Sequence, residues 1–150
     1  MEDRYLFKAK DCNSIWRAGL LIGLQEGRCA IEEKDGSKWA CNSKTICQCT
    51  VLKDKNGNLI WENDICRRVL LPTKRIKTNF KIAYVPYKCC ILAIDLDGSN
   101  ITFLSDYINN QYEVEVIGNI FDNKKLLESE DKDENNYWYS KWVYRRLYCW

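Results

Sequence analysis

The chain has 150 residues, 46% of them hydrophobic and 29% charged, with 7 Gly and 2 Pro. That composition excludes a collagen-like, low-complexity or wholly disordered polymer, and the length allows one compact domain or two very small ones. A formal charge of +2 names no partner, and the absence of His removes the commonest general base and the imidazole metal ligand.

The first residues, Met1 to Lys8, lack the apolar core of a secretory signal. The longest apolar runs, 18–24 and 89–94, are far below the roughly 20 residues of a membrane span, so a soluble cytoplasmic protein without such a span is expected. Tyr5–Ala9 reads as a first strand and Trp16–Leu24 as a second. Cys29–Glu32 and Lys38–Ala40 flank an Asp35-Gly36 hairpin signal, and Thr45–Leu52 is a further strand. In 53–58 the Asn56-Gly57 pair predicts a tight primed turn with two positive φ values, followed by strands Leu59–Trp61 and Ile65–Leu71. Beyond a loop around Pro72, Phe80–Tyr84 and Tyr87–Ile94 read as strands. The stretch 99–110 suits a helix face through Ile101, Leu104 and Ile108, or a strand through Ile101-Thr102-Phe103. Tyr112–Ile117 alternates as a strand does; Gly118-Asn119 is expected to break it, and Asp122 to cap a short helix ending at Leu127. Short strands at this spacing predict a mainly β fold, a small barrel or sandwich with minor helix.

The nine Cys (12, 29, 41, 47, 49, 66, 89, 90, 149) are an odd number in a chain read as cytoplasmic, so a disulfide framework is not expected. Cys41, Cys47, Cys49 and Cys66 number enough for a zinc site. However, Cys47-x-Cys49 places two thiols on one face of a strand rather than on a zinc-knuckle turn, so no metal and no cofactor are expected. Cys89-Cys90, read as strand, should point one thiol inward and one outward. No His stands ready to activate a cysteine nucleophile.

Charge is segregated. From Ile65 to Ile94 there is no acid, while Arg67, Arg68, Lys74, Arg75, Lys77, Lys81 and Lys88 carry seven positive charges among Phe80, Tyr84 and Tyr87. Basic residues interleaved with aromatics suit single-stranded nucleic acid, and equally suit the outward positions of two strands. Glu128 to Asn136 holds five acids and one Lys and reads as a linker. Residues 137–150 then gather three Trp and four Tyr with three cations. Trp138, Trp142, Arg145, Arg146 and Trp150 make that segment a candidate partner-binding element, or one that docks on its own domain.

Residues 50–65, Thr-Val-Leu-Lys-Asp-Lys-Asn-Gly-Asn-Leu-Ile-Trp-Glu-Asn-Asp-Ile, resemble the signature of the YopX family. Glu115-Val116-Ile117-Gly118-Asn119-Ile120-Phe121-Asp122-Asn123 is similar to that family's closing motif, and Arg4 to Ala9 to its first strand. Val51 and Asn63 stand where the family usually has Gly. The resemblance covers the chain to about Leu127 and implies a domain over 1–127, followed by the 128–136 linker and the 137–150 segment. It further implies a small, mainly β, oligomeric protein carried by phages and prophages in a bacterial cytoplasm, with no established activity and hence no catalytic residue. Asp54, Glu62 and Asp64 lie close enough in sequence to share a metal, but turn positions favour acids for backbone reasons alone. The expectation is a non-catalytic binding or interaction module, with a host protein or nucleic acid as partner. The alternative is a single-stranded nucleic-acid-binding protein using the 67–88 segment.

Overall fold

Period-two alternation between short turns becomes strand nearly everywhere in the computed structural model, which describes residues 3–71, 77–108 and 112–128, with Lys77 and Tyr87 placed by backbone alone. The chain divides into two compact units: one runs to Lys53 and takes back Leu59–Glu62, the other holds Asp54–Asn58 and the chain from Asn63 onward.

The first unit is a six-stranded antiparallel sheet ordered β4-β3-β2-β1-β5-β6, from β1 (Leu6–Lys10), β2 (Trp16–Gln25), β3 (Arg28–Glu32), β4 (Lys38–Asn42), β5 (Cys47–Lys53) and β6 (Leu59–Trp61). Its first four strands curl until Asp11 bridges Cys41, and the Lys10 N–H donates to Thr45 Oγ1 at 2.9 Å. Inside the curl Ala9, Cys29, Ile31 and Cys41 are at most 4% exposed and pack with Phe7, Leu21, Trp39 and Ile46. Gly19 is required by that curl, because a Cβ there would sit 1.9 Å from the Glu32 carbonyl oxygen.

The second unit is a five-stranded antiparallel sheet ordered β10-β9-β8-β7-β11, from β7 (Asp64–Leu70), β8 (Lys77–Val85), β9 (Cys90–Asp95), β10 (Ile101–Phe103) and β11 (Tyr112–Asn119). On one face Cys66, Phe80, Ile82, Ala93 and Val114 are buried. The one-turn helix α1 (Leu104–Tyr107) supplies two more core residues, its Tyr107 ring standing edge-on to Phe80 at 4.9 Å. Both readings of 99–110 are therefore realised in succession, strand and then helix.

Four turns share one plan. In Asp11–Ile15, Glu33–Ser37 and Asp54–Asn58 the first N–H donates to the fifth carbonyl and the fourth N–H to the first carbonyl, all within 3.0 Å. The fourth residue is left-handed in each: Ser14 (φ 63°), Gly36 (85°) and Gly57 (82°). The fourth turn repeats the Gly98-to-Asp95 bond with Gly98 at φ 74°, one residue longer. This is a type I turn followed by a left-handed residue, so Gly57 alone has positive φ and the expected primed turn at Asn56-Gly57 does not form.

Other expectations also change. Pro86–Lys88 is a 3-10 turn rather than strand, as proline favours a helical start and lacks an N–H for a ladder. Cys89 ends that turn, left-handed (φ 51°) and exposed, and only Cys90, half-buried, opens β9. β11 runs through Gly118-Asn119 by means of a bulge after Val116. The helical turn Lys124–Leu127 starts from Asn123 without a side-chain cap, so Asp122 does not cap it. Lys74, Arg75, the loop at Pro72, and 129–150 with Trp138, Trp142, Arg145, Arg146 and Trp150 lie outside the described residues.

Candidate functional site

Within the second unit, residues of the 50–65 motif and of the closing motif bind one another. Asp54 Oδ1 accepts the N–H groups of Asn56 and Asn58, both at 2.9 Å, and its Oδ2 accepts Val116 N–H at 3.3 Å. Lys55 donates its N–H to Val114 O, and its ammonium pairs with Glu115 at 3.0 Å. Asn119 Nδ2 donates to Asp64 Oδ1 at 3.0 Å, while Asn119 N–H donates to Asn123 Oδ1. Gly118 is glycine for that last contact, since a Cβ would lie 2.7 Å from Asn123 Oδ1. Burial pushes the Asp54 carboxyl up, but the surrounding N–H donors outweigh it and hold the group below its ordinary range. Asp54 as a backbone acceptor, Asp64 as the acceptor of an amide and Glu115 as an ion-pair partner thus close a clasp between two motifs some sixty residues apart. In the first unit, Glu62 Oε2 accepts Gln48 N–H at 3.4 Å.

A second cluster surrounds Arg68. Its guanidinium donates to Asp95 Oδ2 at 2.8 Å and lies 4.0 Å from the Tyr107 ring centre. Tyr107 OH donates to Asp95 Oδ1 at 2.9 Å and accepts from Asn100 Nδ2, and Ser99 Oγ donates to Asp95 Oδ2. Burial pushes Asp95 up against the pull of Tyr107 and Arg68, and burial together with Asp95 pushes Tyr107 up to about 12. Every polar atom of the Asp95 carboxylate is engaged, and its side chain is fully buried. The buried Asp95 carboxylate is thus tied into a network whose Ser99 and Asn100 members lie at the surface.

The 67–88 candidates do not share one face. Arg68 lies on the face covered by Tyr107, while the neighbouring Arg67 lies on the opposite face, with its Nε donating to Asn79 Oδ1. By register Lys81 shares the Arg67 face, opposite Ile65, and Tyr84 shares the Arg68 face. Lys88 is exposed in the 3-10 turn, Lys77 opens β8 and Tyr87 sits in that turn. The acid-free stretch also meets acids laterally: Glu115 pairs in register with Arg67, and Glu113 with Val69.

A basic and aromatic cluster absent from the expectations occurs instead on the first sheet. Lys8 Nζ lies 5.0 Å from the Trp16 ring centre and 5.3 Å from that of Trp61, and Lys10 Nζ lies 5.3 Å from Trp16. Lys8 pairs in register with Ala18 and Lys10 with Trp16, so this face is opposite the one bearing Ala9 and Arg17. Its continuation across β3 and β4 carries Arg28, Ala30, Glu32, Lys38 and Ala40, with Ala18, Arg28, Lys38 and Ala40 exposed. On the core face Arg17 is committed otherwise, stacked 3.4 Å over Trp39 and bonded to Asp11 Oδ2 at 2.9 Å. The one advance signal was the period-two spacing of Lys8 and Lys10; their meeting with Trp61 depends on the β1–β5–β6 pairing.

Of the eight described cysteines, Cys29, Cys41, Cys47, Cys49 and Cys66 are buried, Cys90 is half-buried, and Cys12 and Cys89 are exposed. Burial, then the neighbouring Cys29, pushes Cys41 up to about 11. Among the described residues no group of three or more His, Cys, Asp or Glu is placed to hold a metal ion, and no helix is long and apolar enough to cross a membrane. No curated protein matches the chain. The model of one family, described as YopX protein, matches residues 7–128, and over that span lie both motifs of the clasp: the chain belongs to the YopX family.

Proposed function

We propose that this YopX-family chain is a non-catalytic binding module, borne by a phage or prophage and acting as a homo-oligomer in the cytoplasm of the bacterial host. The observation that carries this reading is the commitment of the buried carboxylates. Asp11, Asp54, Asp64 and Asp95 each accept from backbone, Arg or Asn donors, and among the described residues no buried side-chain nitrogen or oxygen lacks a partner. An acid or base at work needs a reachable proton and a pKa matched to its task, whereas these groups are tied down for structure. The raised thiol of Cys41 is likewise a poor nucleophile. The partner is a host factor, protein or nucleic acid. The 67–88 segment supports nucleic-acid binding less than its composition promised, because Arg67 and Lys81 lie on one face of the sheet and Arg68 on the other.

The test is retention of host components on the immobilised full chain, with and without excess free chain as competitor. A component displaced by the competitor supports a binding module. Recovery of nothing displaceable, or a turnover lost in Asp54→Ala while the fold persists, refutes it.

A further inference from the structure

We propose that a second copy of this chain adds to the free edge of β2 at Leu21–Gln25, by antiparallel strand pairing across a two-fold axis. The inference rests on the homo-oligomer reading above and names its interface. β2 runs ten residues, but β1 covers only its first half, the last pair being Leu6 with Leu20. Before Leu6 the chain enters the 3-10 turn Asp3–Tyr5, which packs on β5, the other neighbour of β1. Among the described residues, Leu21–Gln25 therefore pairs with β3 alone. Beyond the bulge at Ile22 that ladder is regular, and the two-residue turn Glu26-Gly27 closes it on Gln25 and Arg28. Alternation along an antiparallel ladder then points the backbone of Gln25 and Gly23 at β3 and turns the Leu24 N–H and C=O outward.

Two further observations make a strand the fitting occupant, and this chain's own strand in particular. Each strand that ends a sheet is guarded: β6 and β10 are three residues long, β4 is bridged by Asp11, and β11 is met by the Asp54–Asn58 turn. Short, covered or blocked edges are how sheets avoid stray pairing, so the open stretch of β2 is the exception. It is also apolar where it is open. Ile22 is 46% and Leu24 63% exposed, and residues 20–25 carry no charge. A second copy brings the same segment, so two-fold pairing buries apolar side chains from both copies and sets no like charges against each other. Such pairing also consumes both edges and stops at the pair, where head-to-tail addition would continue. The patch is short, so the two copies separate on dilution.

The experiment is sedimentation equilibrium of the full chain across a dilution series, joined to amide hydrogen exchange over the same concentrations. The wild-type mass should double as concentration rises, and the Leu24 amide should exchange more slowly in step. Ile22→Lys/Leu24→Lys should show neither change, whereas Ile15→Lys, at a site 50% exposed in the Asp11–Ile15 turn, should keep both. The circular dichroism melt of each variant confirms folding, and Leu24→Ser serves if the lysine pair fails to fold. A wild-type chain that is monomeric at every concentration overturns the proposal and the homo-oligomer reading together. A dimer that persists in the folded lysine variant overturns the proposal alone and leaves that reading standing. A monomeric chain that retains a displaceable host protein through Ile22 and Leu24 likewise overturns it, giving the edge to a foreign strand.

Discussion

Val51 is left-handed at φ 62°, in the irregular part of β5 between the Cys49–Trp61 and Lys53–Leu59 pairs. This conformation costs an L-residue roughly 1–2 kcal/mol, and a β-branched side chain belongs at the upper end. Replacing Val51 by Gly removes that cost. It returns about 0.7 kcal/mol of backbone entropy to the unfolded chain. The valine side chain is 47% exposed, so its removal forfeits only about half of the roughly 1.5 kcal/mol of full burial. The balance is a gain of about 0.5 kcal/mol, or about 1–2 °C in Tm for a chain of this size. Val51→Ala keeps a Cβ in the left-handed region, at the lower end of that cost, and forfeits at most the same burial, so it should gain less than Val51→Gly. Urea unfolding followed by circular dichroism, with unchanged m-values, should rank the residues at 51 as Gly, then Ala, then Val. Gly57→Ala is the companion measurement. At φ 82° with nothing within 4 Å of a Cβ, it isolates backbone conformation and should cost about 1 kcal/mol. A Val51→Gly chain less stable than Val51→Ala would refute the reasoning.

Asp54→Ala should cost about 1–3 kcal/mol at neutral pH, since it leaves three N–H groups without their acceptor. Because the folded state holds Asp54 below its ordinary range, its stabilisation is complete above about pH 4 and is lost as pH falls through the lowered folded value. Asp54→Asn should therefore flatten the acid limb of a stability-against-pH curve, and an unchanged limb would exclude that role. Removing either partner of the Arg68–Asp95 pair, whose side chains are 15% and 0% exposed, should cost about 3–5 kcal/mol. The double alanine variant should lose clearly less than the two single losses combined, and strict additivity in urea would deny the coupling. Gly19→Ala drives a Cβ into the Glu32 carbonyl and should cost more than about 2 kcal/mol. Gly23→Ala, meeting only Ala30 Cβ at 3.6 Å, should cost about 1 kcal/mol or less, and equal losses in thermal melts would contradict the close approach.

Strands were legible where side chains alternate and turn chemistry is local: Trp16–Gln25, Leu59–Trp61 and the Asp35-Gly36 hairpin all lie close to their expected places. The errors share a cause in backbone conformation that composition underdetermines. Asn56 tolerates positive φ, but the turn around it closes with only Gly57 left-handed. Pro86 marks a bend, yet nothing in Tyr87-Lys88-Cys89 tells a strand start from a 3-10 turn. Val51 and Asn63, both standing where the family usually has Gly, are both left-handed (φ 62° and 65°), so the family pattern carried geometry that this chain's own residues conceal. The candidate site was harder, because it depends on pairings distant in sequence. Arg67 and Arg68 looked like one basic patch until strand parity separated them. The acids facing Arg67 come from β11, and the lysines of β1 meet Trp61 only through β5.

The clasp around Asp54 has a consequence for solubility. β11 is the last strand of its sheet, and a terminal strand offers outward N–H and C=O groups to any passing chain. Here those groups are occupied at mid-strand, Val114 O by Lys55 N–H and Val116 N–H by the Asp54 carboxylate. The Lys55–Glu115 pair adds charge at the same point. The Asp54–Asn58 turn thus blocks strand addition along β11, and loosening it exposes a template for self-association before the sheet itself comes apart.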